Sequence, residues 1–372
     1  MNANTWTSCA LAALLACFTT TAAAAADMPG IAPSPPVQDD GTIATPSFNL
    51  PFSSFASREA ADELVNRIRN PTQISPDIAK MRKMTDDKMA PLLALAKSLY
   101  PYTSTKSVIG GVPVETFTPA AGISPKNKDR VLIELHGGGF LTGGGGPDGA
   151  SEAVPLASVA RIKVVAVDYR QAPEHRFPAG SEDVATVYRA LLKTHRPENI
   201  GIYGCSAGGM LTAEAIPWFL KEHLPLPGAI GVFCASTHTF AEGDSAQLWP
   251  RMGSVIPLIP PAKPDGTFGR NSPYFAGASP KDPLAVPSAS TAVLKAFPPT
   301  LFLTGTRAPE MSAAAQSHLE LRDLGVTSEL LLFDGMDHGF YVNPNLPESK
   351  RAYRLVAQFF DENLGHKKPP AK

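Results

Sequence analysis

Short apolar runs alternate with segments of helical periodicity over most of the chain. The runs rich in β-branched and other apolar residues lie at 112–118, 130–135, 163–168, 199–203, 229–234, 300–304 and 328–333. Segments with apolar residues at helical spacing lie between most of them, at 149–160, 180–195, 207–223 and 312–324, and a last one follows around 348–364. Short buried strands that alternate with helices predict an α/β fold with a mostly parallel central sheet and helices on both faces.

A helical pattern without strands precedes this alternation, between residues 57 and 100. Leu64 and Ile68 begin an apolar stripe that resumes further along, and Pro71 and Pro76 interrupt it. The spacing predicts two helices ahead of the sheet.

A second exception is the segment 237–296, which is rich in Pro and Gly and breaks the strand–helix rhythm. We expect it to form cap elements together with residues 52–100, within a single domain over 52–372. Its aromatic residues are candidates for lining an acyl pocket, although ordinary cap core is the favoured interpretation: Phe240, Trp249, Phe268, Tyr274 and Phe275.

The first 26 residues contain an apolar run at 8–18, followed by a Thr/Ala tract. This pattern is typical of a signal peptide, and the run is too short for a stable membrane span. We therefore expect export to the periplasm or the medium, with a lipid anchor at Cys17 as the less favoured alternative. Residues 27–51 are rich in Pro, Ser, Ala and Asp and predict a linker or arm.

Composition narrows the function classes. Apolar residues make up 44% of the chain, charged residues 18%, and the net charge is -1. This balance gives no support to a nucleic-acid partner or a polybasic membrane surface. Of four cysteines, only Cys205 and Cys234 lie outside the predicted leader, and we interpret them as buried thiols on neighbouring strands. The sequence predicts no metal site.

Residues 204–208 read Gly-Cys-Ser-Ala-Gly, between a predicted strand and a predicted helix. A Gly-x-Ser-x-Gly sequence in this context predicts a nucleophile elbow, in which a sharp turn exposes the hydroxyl of Ser206. The helix that begins at this turn also favours developing negative charge. We therefore predict Ser206 as a nucleophile.

Residues 136–140 read His-Gly-Gly-Gly-Phe and follow another predicted strand. Glycines leave backbone N–H groups uncovered, and acyl transfer requires such donors where an oxyanion forms. We predict Gly138, Gly139 and Ala207 as the oxyanion-hole donors. A flexible glycine turn is the alternative. His136 is predicted to organise this loop rather than to act in catalysis.

Residues 335–340 read Gly-Met-Asp-His-Gly-Phe, just after the last predicted strand. On a sheet of this kind the catalytic groups follow the chain order Ser, acid, His. His338 satisfies that order and is the predicted general base.

Together these motifs resemble those of the hormone-sensitive-lipase-like carboxylesterases, the bacterial family IV esterases. The resemblance extends from about residue 60 to residue 365 and includes Tyr-Arg-Gln-Ala-Pro-Glu at 169–174 and Phe-Pro-Ala at 177–179. It implies an α/β-hydrolase fold with an N-terminal helical cap, hydrolysis of small, mostly short-acyl esters, and no cofactor. Glu174, within this stretch, is expected to be structural and to pair with Arg170 or Arg176.

The chain departs from the family pattern at the acid. Residues 305–310 read Gly-Thr-Arg-Ala-Pro-Glu, so the usual aspartate position is Ala308, and Glu310 is the nearest carboxylate. Either Glu310 substitutes through a remodelled loop, or the triad is crippled, or Ala308 is not the natural residue. Asp334 and Asp337 flank His338 too closely in sequence to reach its ring.

The sequence thus predicts a serine carboxylesterase that acts through an acyl-enzyme. A catalytically weakened or non-catalytic small-molecule-binding protein on the same fold is the alternative, because fold alone does not define function. An amidase or an esterase for bulky substrates remains a further alternative. The expected partner is a small-molecule ester, with a homodimer as a candidate assembly.

Overall fold

A computed structural model describes residues 35–366, except 46, 48, 72, 145 and 254–272. The chain divides into two units, Met1–Pro51 and Phe52–Lys372. In the first unit, Val37 and Ile43 form an isolated antiparallel bridge. The predicted signal peptide and Cys17 lie outside the described residues, as does Phe268.

The second unit contains one eight-stranded sheet with the strand order β1-β2-β4-β3-β5-β6-β7-β8. The strands are β1 (Tyr102–Ile109), β2 (Val112–Pro119), β3 (Val131–Leu135), β4 (Lys163–Val167), β5 (Ile200–Cys205), β6 (Ala229–Phe233), β7 (Thr300–Gly305) and β8 (Ser328–Phe333). The pairs β1–β2 and β2–β4 are antiparallel, and every other neighbouring pair is parallel. The predicted α/β-hydrolase architecture with a mostly parallel sheet is confirmed.

The helices in the described residues agree with the sequence pattern, with ends shifted by a few residues, except for two short helices within 237–296 that the pattern did not predict. They are α1 (Arg58–Arg69), α2 (Ile78–Leu99), α3 (Pro147–Ala160), α4 (Ala179–Leu191), α5 (Ala207–Lys221), α6 (Gly243–Leu248), α7 (Thr291–Ala296), α8 (Met311–Asp323) and α9 (Pro347–Asn363). None of them is both long and apolar enough to cross a lipid bilayer.

The antiparallel strand β1 was not predicted from the sequence. It reads Tyr-Thr-Ser-Thr-Lys-Ser-Val-Ile and is largely exposed, because it forms one edge of the sheet. It pairs with β2 along its whole length through a hairpin at Gly110 and Gly111. An edge strand buries little side-chain surface, so its sequence lacks the apolar run that identified the other strands.

Alternate side chains of the central strands enter two apolar clusters. On β3, Ile133 packs in a cluster with residues of α4 and α5, whereas Leu132 packs in one with residues of α3 and α9. Because helices cover both faces, these strands are mostly apolar on both faces instead of alternating with polar residues; Glu134 of β3 is a buried exception. The ends of the central strands are thereby fixed by a core on both sides.

The prediction that Glu174 pairs with Arg170 or Arg176 is wrong. Glu174 forms an ion pair with Arg82 of α2, with 2.7 Å between Nη2 and Oε2. Arg82 also donates to the carbonyl of Leu141. Arg170 instead contacts the side chains of Glu182 and Asp183 on α4. Sequence proximity suggested the wrong arginine, because α2 approaches this loop from a distant part of the chain.

Candidate active site

Ser206 occupies a sharp turn between β5 and α5. Its backbone has φ 57° and ψ -119°, a conformation that costs a non-glycine residue about 1–3 kcal/mol. Its N–H donates to the carbonyl of Phe233 at 2.8 Å, which ties the turn to the end of β6. A Cβ at Gly208 would overlap the Leu135 carbonyl, so the second glycine of the motif allows α5 to begin directly against β3.

The glycine loop after β3 lies beside this turn. A Cβ at Gly137 would lie 3.6 Å from the Cβ of Ser206. Gly138 has φ +99°, and its carbonyl accepts hydrogen bonds from the N–H groups of Leu141 and Thr142, both at 3.1 Å. The loop is therefore folded into a tight turn next to the nucleophile.

This turn leaves backbone donors uncommitted. The N–H groups of Gly138, Gly139 and Ala207 have no acceptor within the described part of the chain. Two of them belong to the glycine loop, and the third begins α5, where the helix dipole adds partial positive charge. The arrangement provides donors of the kind that stabilise an oxyanion.

His136 lies beneath this loop and is fully buried. Its ring stacks on Tyr169 with 4.2 Å between centroids, and the Tyr169 hydroxyl donates to its carbonyl at 2.7 Å. Burial lowers the pKa of His136 to about 4, against a weaker opposing effect of the Gly137 carbonyl. These contacts fit the predicted organising role.

His338 and Glu310 form a hydrogen-bonded pair, with Oε2 of Glu310 3.0 Å from Nδ1 of His338. The Glu310 side chain has no exposed surface, and that of His338 is 12% exposed. Glu310 Oε1 accepts from the hydroxyl of Thr304 at 2.8 Å, so both carboxylate oxygens have a partner. The structure thus brings together the base and the acid named from the sequence.

The loop after β7 accounts for this contact. The Arg307 N–H donates to the Met336 carbonyl at 2.9 Å, and the Ala308 N–H donates to Gly305 at 3.1 Å. This turn directs Ala308 into the core, where it is fully buried. Glu310 stands at the start of α8, two residues further along, and reaches the imidazole.

Electrostatics in this pair favour the charged imidazole. Burial lowers the pKa of His338, but the negative charge and the hydrogen bond of Glu310 outweigh it and raise the pKa to about 9. Asp337, whose own pKa burial raises, accepts from the His338 backbone N–H at 2.7 Å. The neighbouring aspartate therefore holds the main chain of the loop.

Three further residues contact His338 or the residue that follows it; the sequence had named Phe240 among them as a candidate pocket or core residue, and Cys234 only as a buried thiol. Phe240 packs edge-to-face on the imidazole, with 5.3 Å between ring centroids. Arg67 of α1 donates to the His338 carbonyl at 3.2 Å, and Cys234 Sγ accepts from the Gly339 N–H at 3.2 Å. For Cys234 the available signal was its position directly after a buried parallel strand, whereas Arg67 had none.

The other candidate aromatic residues belong to the core. Tyr274, Phe275 and Trp249 are buried. The Tyr274 ring stacks on Phe140 at 4.2 Å, and its hydroxyl accepts from the Gly180 N–H at 2.9 Å. The favoured interpretation as core therefore describes these three, and two of them pack against the end of the glycine loop.

The site follows the carboxyl ends of five neighbouring strands. The glycine loop follows β3, and the four side chains that follow β5, β6, β7 and β8 are Ser206, Cys234, Glu310 and His338. In open α/β sheets, ligands bind at this edge. A family model described as the alpha/beta hydrolase fold matches residues 132–342. The chain belongs to this family.

Curated relatives of this α/β-hydrolase include proteins named as an acetyl-hydrolase and as an esterase. It is 29% identical over 250 residues to an acetyl-hydrolase from Streptomyces hygroscopicus. The aligned residues make up 66% of this chain and 80% of the relative. It is 26% identical over 280 residues to the esterase LipU of Mycobacterium tuberculosis, and this alignment includes 73% of this chain and 91% of LipU. The prediction that the protein is a carboxylic ester hydrolase is confirmed.

Solved structures of esterases have a similar fold. The crystal structure of an esterase from the bacterial hormone-sensitive lipase family matches with a TM-score of 0.70 and 26% identity, over 83% of this chain and all of the other. Another esterase structure matches with a TM-score of 0.68 and 29% identity, over 86% and 99%. The resemblance noted from the motifs is therefore confirmed for the fold and the family.

Proposed function

We propose that this α/β-hydrolase is a serine carboxylesterase with the triad Ser206, Glu310 and His338. The observation that carries the proposal is the 3.0 Å hydrogen bond between Glu310 and His338 Nδ1, in a pair that is buried except for a small part of the His338 side chain. It argues against the crippled triad that Ala308 suggested, because a carboxylate is present where the imidazole requires one.

The nucleophilic step follows from this pair. When Nδ1 of His338 donates its proton to Glu310, Nε2 is left as the acceptor for the hydroxyl proton of Ser206. Ser206 then attacks the ester carbonyl, and the carboxylate stabilises the imidazolium that forms. The buried position of Glu310 strengthens this effect, because charge interactions increase where water is excluded.

The N–H groups of Gly138, Gly139 and Ala207 are proposed to stabilise the oxyanion of the tetrahedral intermediate. His338 next protonates the leaving alcohol, which produces the acyl-enzyme. Water then repeats the sequence, with His338 as its base, and releases the acid and free Ser206. None of these steps requires a cofactor.

Small esters with short acyl chains are the proposed substrates. One similar relative is named an acetyl-hydrolase, and the family resemblance implies mostly short acyl chains. Export, which the pattern of the first 26 residues predicts, and a homodimeric assembly both stay predictions.

The test is hydrolysis of p-nitrophenyl esters of increasing acyl length by the wild-type protein and single variants. Ser206→Ala should abolish turnover. Glu310→Ala should reduce kcat by a factor on the order of 10⁴, because the imidazole loses the group that orients it. Asp323→Asn, which removes an exposed carboxylate of the same helix α8, is the matched control and should retain the wild-type rate.

Two results would contradict the proposal. Folded wild-type protein with no more activity than Ser206→Ala on any acyl length would favour a binding protein. Activity that Glu310→Ala leaves unchanged and Ala308→Asp increases would show that Glu310 is not the acid.

A further inference from the structure

A third ligand-type side chain lies against the proposed acid and base. Cys234 Sγ, a carboxylate oxygen of Glu310 and a ring nitrogen of His338 all lie within 4.8 Å of one another. Cys234 and Glu310 are fully buried, and only His338 retains exposed surface. Ester hydrolysis by the proposed mechanism has no use for the thiol, so its presence in this cluster is unexplained by that reaction.

The cluster matches the ligand preferences of a borderline or soft divalent cation. A thiolate, an imidazole and a carboxylate are the three ligand types that proteins offer to Zn²⁺. Zinc–ligand bond lengths imply that neighbouring ligand atoms around a tetrahedral ion lie about 3.3–3.5 Å apart. Glu310 Oε2 and His338 Nδ1 are 3.0 Å apart, and no two of the three ligand atoms are more than 4.8 Å apart. Small side-chain movements would therefore bring all three atoms to the spacing that a tetrahedral ion requires.

Outer contacts already orient two of the three ligands. Thr304 donates its hydroxyl proton to Glu310 Oε1, which leaves Oε2 directed at the imidazole. The Gly339 N–H donates to Cys234 Sγ. Metal-ligating carboxylates and thiolates in proteins are held by outer-shell hydrogen bonds of this kind.

We propose that Cys234, Glu310 and His338 form an inhibitory site for a borderline or soft divalent cation such as Zn²⁺ or Cd²⁺. On binding, the Cys234 thiol releases one proton to solvent and its sulfur bonds to the ion. The His338 imidazolium releases its Nδ1 proton to solvent, binds the ion through Nδ1 and keeps its proton on Nε2. Glu310 Oε2 supplies the third bond, a solvent molecule can complete the coordination, and no oxidation occurs.

Inhibition follows from the position of the proton. With Nδ1 on the metal and a proton on Nε2, the imidazole has no lone pair with which to accept the hydroxyl proton of Ser206. The ion also occupies the carboxylate that would stabilise an imidazolium. This consequence rests on the proposed function, whereas binding of the ion does not.

The binding test uses full-length, reduced Ser206→Ala protein, so that the result is independent of hydrolysis. Titration with Cd²⁺ should produce the saturable ultraviolet charge-transfer band of a cadmium thiolate. Cys234→Ser in this background should abolish the band, and Glu310→Gln should weaken the affinity at least about tenfold. Cys205→Ser, which removes the other described thiol, should retain the band.

The inhibition test uses the active protein with Zn²⁺ and compares rates with and without the ion within each variant. Zn²⁺ should inhibit the wild type, and a chelator should restore the rate. Cys234→Ser should raise the Zn²⁺ concentration that gives half inhibition at least about tenfold. Cys234→Ala provides a second variant if circular dichroism shows that the serine variant is misfolded.

Absence of the cadmium band, or a band that survives Cys234→Ser, overturns the site. A band accompanied by a rate that Zn²⁺ leaves unchanged overturns the inhibition. A band in Ser206→Ala together with no esterase activity in the wild type would contradict the proposed function and its inhibition, while leaving the metal site in place.

Discussion

The buried contact between Glu310 and His338 couples the charge of the imidazole to that of the carboxylate. Only the neutral imidazole can accept a proton from Ser206, so the pKa of His338 sets the acidic limb of the pH–rate profile. Because Glu310 raises this pKa to about 9, the rate should increase with pH through the neutral and mildly alkaline range.

Glu310→Gln tests this coupling. The amide preserves size but removes the negative charge, so the pKa of His338 should fall and the acidic limb of kcat/KM should move to lower pH. The maximum rate should also fall, because the imidazolium loses its stabilising charge. The pH dependence of kcat/KM measures both effects. Asp323→Asn should leave the limb in place, and a limb that Glu310→Gln does not move would contradict the assignment.

Motifs were sufficient for residues whose surroundings are built from local sequence. Ser206 and the glycines of its turn form one contiguous Gly-x-Ser-x-Gly motif between a strand and a helix, and the sequence identified them although their neighbours include β3 and β6. Assigning Glu310 required the path of the loop after β7, which depends on hydrogen bonds from Thr306 and Arg307 to the carbonyls of Phe333 and Met336, in a later part of the chain. Cys234 lacked any motif, and only the order of the strands brings it to His338.

At the scale of elements, α1 holds the loop that carries His338. Arg67 donates to the His338 carbonyl at 3.2 Å, and Glu63 accepts from the Asn343 side chain at 3.2 Å. Ser57, the N-cap of α1, donates to Glu348 at the start of α9 through both its N–H and its hydroxyl. A helix that precedes the sheet thus fixes the position of the proposed base.

Arg67→Met should reduce kcat by a factor on the order of tenfold, because a displaced general base loses alignment with the nucleophile. The methionine retains an apolar stem, so the thermal midpoint should change little. Steady-state kinetics and a melting curve give the two readouts. Arg69→Met removes an exposed charge from the same helix and is the control. Equal kinetics in both variants would contradict the positioning role of Arg67.

Element prediction succeeded where burial on both faces imposed an apolar run, as in β3 and β5. It failed for β1, whose polar side chains face solvent at the edge of the sheet. The pattern also could not reveal that α1 contacts the loop after β8. The two segments are separated by most of the domain's sequence and come together only in the folded chain. Such contacts follow from packing of the assembled sheet.

At the scale of the whole molecule, one carboxyl group is buried in the larger apolar cluster without a role in the proposed reaction. Glu214 of α5 is 1% exposed, and its carboxyl oxygens have no hydrogen-bond partner among the described residues. Burial raises the pKa of Glu214 well above its ordinary value of 4.5. The folded protein therefore keeps this group protonated at pH values at which the unfolded chain has released the proton.

This difference makes the free energy of unfolding depend on pH. As the pH rises above 4.5, the unfolded state binds fewer protons than the folded state at this position, so stability falls until the pH passes the pKa of Glu214 in the folded protein. Glu214→Gln has no proton to lose and should be more stable than the wild type, with a gain that grows between those two limits. Urea unfolding at a series of pH values measures the gain.

Glu222→Gln is the control at the exposed end of α5, where an ion pair 3.5 Å long with Arg189 contributes little to stability. A gain for Glu214→Gln that does not grow with pH would show that the carboxyl group finds compensation in the fold and would contradict its proposed effect on global stability.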